Sequence, residues 1–172
     1  MVGLISIGDI SVTPFMNHYV NELRNKNKEY EVLFWNRELL LHELPNNYIS
    51  YNVKSDYNKS PYDKIGDFIG FSKWCRDQIR KKKYDKLIIL TTLSGIFIAD
   101  LLINKYKNKY IFDIRDYSYE HLKLFYYIER KIINSSFFTC ISSEAFKEFL
   151  PSSNNYIICH NCRVEEINNR KE

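Results

Sequence analysis

Six times in this chain of 172 residues a short run rich in β-branched and aromatic side chains breaks off into polar residues, and most of these breaks are followed by a segment with helical spacing. Val2 to Ile7 leaves at Gly8-Asp9, Glu31 to Trp35 at Asn36-Arg37, and Lys86 to Leu90 at Thr91-Thr-Leu-Ser-Gly95. Tyr110 to Ile114 leaves at Arg115-Asp116, Phe137 to Ile141 at Ser142-Ser-Glu144, and Tyr156 to Cys159 at His160-Asn161. Short apolar runs bounded in this way are strands. Tyr48 to Val53 adds a weaker seventh, and Lys86 to Leu90, the most strand-like of all, belongs near the sheet centre.

Between the strands, apolar residues recur at helical intervals. Phe15, Tyr19 and Leu23 follow a Thr13-Pro14 helix start. Ile65, Phe68, Ile69, Trp74 and Ile79 mark a long helix over Tyr62 to Lys82, although Gly66 and Gly70 imply tight packing or a bend there. Further helices are expected over Glu38 to Leu44, Ile96 to Tyr106, Leu122 to Ile132 and Ala145 to Leu150, with Ser118 capping the one that follows Asp116 and Glu120 in its first turn. Strands joined through helices need crossovers of one hand. The expected fold is therefore α/β and Rossmann-like: three layers, a mostly parallel sheet of about six or seven strands, and helices on both faces.

In such a sheet every strand exit lies along one edge, and ligands bind in the crevice outside it. The candidate cleft residues are thus Gly8, Asp9, Arg37, Thr92, Ser94, Arg115, Asp116, Ser142, Ser143, Glu144, His160 and Asn161. Asp116 is the best general base, since a carboxylate at this edge can orient or deprotonate a hydroxyl nucleophile. Arg115 can bind phosphate or simply pair with Asp116 or Glu120. Thr91 to Gly95 can hold a phosphate or sugar hydroxyl, or merely cap a helix. His18, His42 and His121 fall in helical segments, which leaves His160 as the better-placed histidine.

Length allows one domain with a substantial core and not two of ordinary size. The net charge of +4 is modest and spread out, which does not mark a nucleic-acid binder. Basic residues cluster only at Arg80-Lys81-Lys82-Lys83, either a solvated helix end or a peripheral contact with an anionic membrane surface. No apolar run approaches the roughly 18 residues that span a bilayer, and no signal-peptide pattern opens the chain, so a cytoplasmic location is expected. Cys75 and Cys140 read as core residues. Cys159-His-Asn-Cys162 lacks the second pair that a zinc site needs and does not open a helix as a redox motif does.

Several nameable chemistries are missing. The first loop has one glycine where a dinucleotide fingerprint has three. There is no P-loop and no Gly-x-Ser-x-Gly nucleophile elbow. Polar residues in Lys54 to Pro61 suggest a mobile loop, and Arg163 to Glu172, with only Val164 and Ile167 apolar, has the composition of a linker.

Taken together, several segments resemble the amino-terminal domain of GT-B glycosyltransferases of the family 4 type, above all those of bacterial capsule and surface-polysaccharide clusters. They are Asn17-His-Tyr-Val-Asn-Glu-Leu-Arg24 with Tyr30-Glu-Val-Leu-Phe-Trp-Asn-Arg37, Phe112-Asp-Ile-Arg-Asp116, Thr139-Cys-Ile-Ser-Ser143 with Phe146-Lys-Glu-Phe-Leu-Pro151, and Tyr156-Ile-Ile-Cys-His-Asn161. Gly8-Asp9 stands where that family carries a glycine pair. The resemblance implies an acceptor-side domain over 1–161, with 162–172 leading to a carboxyl-terminal donor-binding domain. It implies transfer of a sugar from a nucleotide-diphosphate sugar, without metal and usually with retention, to a hydroxyl of a lipid-linked or oligosaccharide acceptor. On it, Asp116 and Arg115 face the interdomain cleft, Ser142 starts the helix after the sixth strand, and Asn161 marks the crossing to the other domain. The rival expectation, favoured by the lack of a complete catalytic motif, is a non-catalytic α/β binding or interaction module.

Overall fold

The computed structural model describes residues 1–10, 13–40, 43–55 and 61–160. Asn161, the 162–172 segment and most of the 54–61 loop therefore lie outside the described residues, as do Cys162 and His42.

Among the described residues seven strands form one sheet: β1 (Val2–Ser6), β2 (Tyr30–Trp35), β3 (Tyr48–Tyr51), β4 (Lys86–Leu90), β5 (Tyr110–Ile114), β6 (Phe138–Ile141) and β7 (Tyr156–Ile158). Their order is β3-β2-β1-β4-β5-β6-β7, with β4 in the middle as its sequence implies. Every neighbouring pair is parallel. The α/β class and the seven-strand count agree with the sequence reading, and all strand exits share one edge.

The helices are α1 (Met16–Asn25), α2 (Pro61–Lys82), α3 (Thr92–Ile96), α4 (Ala99–Asn104) and α5 (Lys123–Ser135), with a 3-10 turn at Glu144–Glu148. On one face of the sheet, Met16 and Val20 of α1 pack on Leu4, Val32, Phe34, Ile88 and Leu90. On the other, Phe71, Cys75 and Ile79 of α2, Leu102 of α4, and Ile132 and Ile133 of α5 pack on Ile5, Leu33, Trp35, Ile89, Phe112 and Ile141. Alternation along each strand sends successive side chains to opposite layers, and the near-continuous burial of β2 and β4 is what a sheet covered on both sides requires.

Local details depart from expectation where side chains found other partners. Thr13 does not cap α1. Its hydroxyl donates to the Asp9 carbonyl (2.9 Å), and the helix starts only at Met16. Of the helix expected over Glu38 to Leu44, residues 41–42 lie outside the described residues; Arg37 and Glu38 form a turn, and Leu39 follows at φ 58°, a left-handed conformation that no right-handed helix continues through. The helix expected over Ile96 to Tyr106 is two short ones, α3 and α4, and no side chain caps either. Ser118 caps nothing: its N–H donates to the Glu120 carboxylate (2.6 Å), and α5 begins five residues later.

Candidate functional site

β1 and β4 are neighbours, yet the chain leaves β1 toward β2 and β3 on one flank and β4 toward β5, β6 and β7 on the other. Connections from the two strands depart over opposite faces, so their exits diverge and a crevice opens between them. It measures about 240 Å³ and is lined by Ile7, Gly8, Thr13, Phe15, Thr91, Thr92, Leu93, Asp116 and Ser118.

The walls are tied together behind the crevice. Ser94 accepts a hydrogen bond from the Ile7 N–H (2.8 Å) and shares another with the Thr91 hydroxyl (3.1 Å), coupling the β1 exit to the β4 exit. Ser94 is thus occupied in holding the site. Thr91 sits at φ 74°, ψ 151°, a conformation costly for a β-branched residue, of a kind that clusters at functional positions. It turns the chain so sharply that Thr92 comes to lie against the crevice. Thr92 is 2% exposed, and its buried hydroxyl meets no hydrogen-bond partner among the described residues. Such a group is expensive to leave unpaired unless a ligand or water completes it. Opposite it, Asp116 stands exposed on the rim, with no ion pair within 4 Å among the described residues.

Arg115 does not pair with Asp116. As the second residue after Asp113 it lies on the same side of the strand, and its guanidinium pairs with Asp113 (2.5 and 2.9 Å), donates to the Cys159 carbonyl (2.6 Å) and lies 4.9 Å from the Phe15 ring centre. Asp113 is fully buried and also accepts from the Tyr19 hydroxyl (2.7 Å). Burial pushes the Asp113 carboxyl above its ordinary range against the pull of Arg115, and burial together with the Asp113 charge pushes Tyr19 upward. Arg115 is thereby a fixture of the β5 exit, and Asp116 alone of the two reaches the crevice.

Leu93 also borders a second cavity of about 400 Å³ between α2, α3 and the start of α5. Its lining is apolar and aromatic, with Phe68, Phe97, Tyr119 and Phe125 prominent, and Arg37 and Lys64 stand at it. Arg37 is placed there and not in the crevice: its guanidinium lies 4.6 Å from the Trp35 ring centre, and it donates to the Ser55 hydroxyl (3.4 Å). That hydroxyl in turn donates to Asp67 (2.6 Å).

Of the residues chosen from sequence, Gly8, Thr92 and Asp116 meet in the crevice. Asp9 lies buried in the adjoining loop. The β6 and β7 exits are two and three strands from β4, so at about 4.8 Å per strand they stand ~10 Å or more away. Ser142 and Ser143 are half-buried there, Glu144 pairs with Lys147 (2.6 Å), and His160 is exposed. Thr91 lines it too, within the Thr91–Gly95 exit that the sequence marks, whereas Thr13, Phe15 and Ser118 are lining residues that the sequence does not mark as cleft candidates. The sequence marks the loops after β1 and β4 along with four other exits, and the tendency of ligands to gather at a switch point is what sets these two apart.

Among the described residues no three His, Cys, Asp or Glu side chains gather to hold a metal ion, and no helix is long and apolar enough to cross a membrane. No protein-family model matches the chain, and no curated protein matches it.

Proposed function

We propose that this chain is the acceptor-side domain of a GT-B glycosyltransferase of the family 4 type, acting with a donor-binding domain outside 1–161 in cell-surface polysaccharide synthesis. One observation carries the reading. Among the described residues the crevice at the switch point presents a free carboxylate, Asp116, and an unsatisfied hydroxyl, Thr92, and no lysine or arginine lines it. That is the chemistry of a site for a neutral hydroxylated ligand, where a diphosphate would ask for cationic donors.

The acceptor hydroxyl lies against Asp116, which orients it and takes its proton as the oxygen bonds the anomeric carbon of the donor sugar and the bond from that carbon to the nucleotide diphosphate breaks. Thr92 fixes a neighbouring hydroxyl. Beyond Leu93, the aromatic faces of Tyr119 and Phe125 offer stacking surfaces for the next sugar units of the acceptor.

Two measurements test this. Titrating the isolated chain with neutral oligosaccharides should shift the backbone amide resonances of Thr92 and Asp116, whereas uridine diphosphate should leave them unmoved. Joined to its donor-binding domain, the protein should transfer sugar, with Asp116→Asn lowering kcat by about a hundredfold or more. Nucleotide bound in the crevice, or full activity in the Asn variant, overturns the assignment. Glycan binding without turnover of any nucleotide sugar points instead to a non-catalytic sugar-binding module.

A further inference from the structure

The edge opposite the crevice carries the strand entries, and the fold brings lysines from separate loops together there. Lys26 and Lys28 precede β2, and Lys81 to Lys83 precede β4. Lys105, Lys107 and Lys109 precede β5, and all eight are exposed. Backbone hydrogen bonds knit these loops into one band. Val2 N–H donates to the Glu29 carbonyl (2.9 Å), Asp85 N–H to Met1 (3.0 Å), Leu87 N–H to Lys109 (3.0 Å) and Phe137 N–H to Tyr110 (2.8 Å).

Carboxylates are fewer than lysines in the band, and Glu29 is the one that stands exposed beside Lys28. Glu31 pairs with Lys82 (2.7 Å), and Asp85 holds the Met1 amino group (2.6 Å). Apart from Lys26 beside Glu22 (3.3 Å), no other of the eight has a carboxylate within 4 Å among the described residues. Four helices also end at this edge, and cations suit their carboxyl ends. That accounts for Lys81 and Lys82 but not for Lys28, Lys107 and Lys109, which lie beyond the last helical turns. One large apolar side chain stands in the same band: Phe137, at the entry to β6, is 67% exposed.

We infer that this band is a docking surface for an anionic lipid bilayer, with the lysines at the headgroups and Phe137 entering the interface. Lysine is a compact point charge suited to a diffuse anionic surface, and it outnumbers arginine here: Arg24 and Arg80, in the last turns of α1 and α2, are engaged with Tyr30 (2.8 Å) and Asp77 (3.5 Å). An exposed ring among lysines is the arrangement that inserts at the boundary between headgroups and acyl chains. Docked so, the sheet stands on end and the crevice opens away from the bilayer. If the chain is a transferase, it works on acceptor hydroxyls held clear of the headgroups.

The test is co-sedimentation with phosphatidylcholine vesicles, with and without phosphatidylglycerol. Wild type should pellet only with the anionic vesicles and be released by salt. Lys81→Glu with Lys107→Glu should lower the partition coefficient at least tenfold, since each lysine near such a surface contributes about a fivefold factor. Lys54→Glu with Lys147→Glu, the same change in net charge at the crevice edge, should lower it less than threefold. Phe137→Ser should weaken binding without changing its salt dependence. Equal loss in both charge-reversal pairs, binding to neutral vesicles alone, or capture by duplex DNA with none by vesicles would overturn the assignment. Asp116→Asn should bind vesicles like wild type, which separates failure of docking from failure of the sugar-transfer reading.

Discussion

The Tyr19 hydroxyl of α1 donates a 2.7 Å hydrogen bond to the Asp113 carboxylate of β5, across the face of the sheet that α1 covers. The same carboxylate holds Arg115, so one buried acid fixes both a helix and the strand exit from which Asp116 projects. Replacing Asp113 with Ala deprives a buried guanidinium of its counter-charge and should cost about 3–5 kcal/mol. Tyr19→Phe should cost about 1–2 kcal/mol. Urea unfolding measures both, and a loss under about 1 kcal/mol for Asp113→Ala would show that the pair is not structural.

Thr92→Val keeps the shape of a buried side chain and removes a hydroxyl that the fold leaves unsatisfied. Stability should hold or rise by up to about 1 kcal/mol, because a lone buried polar group is a cost. Oligosaccharide affinity should fall by roughly five- to tenfold, the worth of one hydrogen bond. A variant that loses stability and binds as before would remove Thr92 from the site.

Glu129 is fully buried on α5, and neither carboxyl oxygen meets a hydrogen-bond partner among the described residues. Burial, with the nearby Glu120 charge, pushes it from an ordinary value of 4.5 up to about 8. Between those values the folded chain keeps a proton that the unfolded chain has released. The stabilisation is therefore complete below pH ~4.5 and is lost as pH rises through about 8. Glu129→Gln should flatten that fall, whose slope is at most about 1.4 kcal/mol per pH unit. Thermal unfolding between pH 5 and 9 (a range set by about those pKa limits) reads it, and identical slopes in the two proteins would rule the effect out.

The two glycines of α2 should respond oppositely to alanine. A Cβ at Gly66 meets no atom within 4 Å, so Gly66→Ala should gain up to about 1 kcal/mol from helix propensity. At Gly70 it would lie 2.8 Å from the Tyr51 hydroxyl oxygen. The Tyr51 ring is hemmed in by Trp35, Phe71 and Trp74, so Gly70→Ala should lose about 1 kcal/mol or more. Equal midpoints for the pair in urea would contradict this.

Strands were the legible part of the sequence because their burial is written into contiguous residues. Lys86–Leu90 and Tyr110–Ile114 match the expected bounds, and the other five differ by one or two residues at an end. Helix starts were less legible, since Thr13 and Ser118 have the right chemistry for caps and spend it elsewhere. For the site, the sequence gives the shared edge but not which exits meet. That choice depends on strand order, and no local pattern around Arg37, Glu144 or His160 shows that these exits fall outside the crevice. The Asp113–Arg115 pair was within reach, because two residues along a strand share a side. Asp116, adjacent in sequence, alternates to the other side of the strand.

The interior position of β1, between one neighbour made soon after it and another made much later, bears on how the chain is made. Its hydrogen bonds run to β2 on one flank and β4 on the other, so β1, synthesised before β4, must wait for residues 86–90 before its second edge is closed. Until then an apolar strand lies open to mispairing. Nascent chains stalled before Lys86 should be the ones that engage chaperones, and release should follow once β4 clears the exit tunnel.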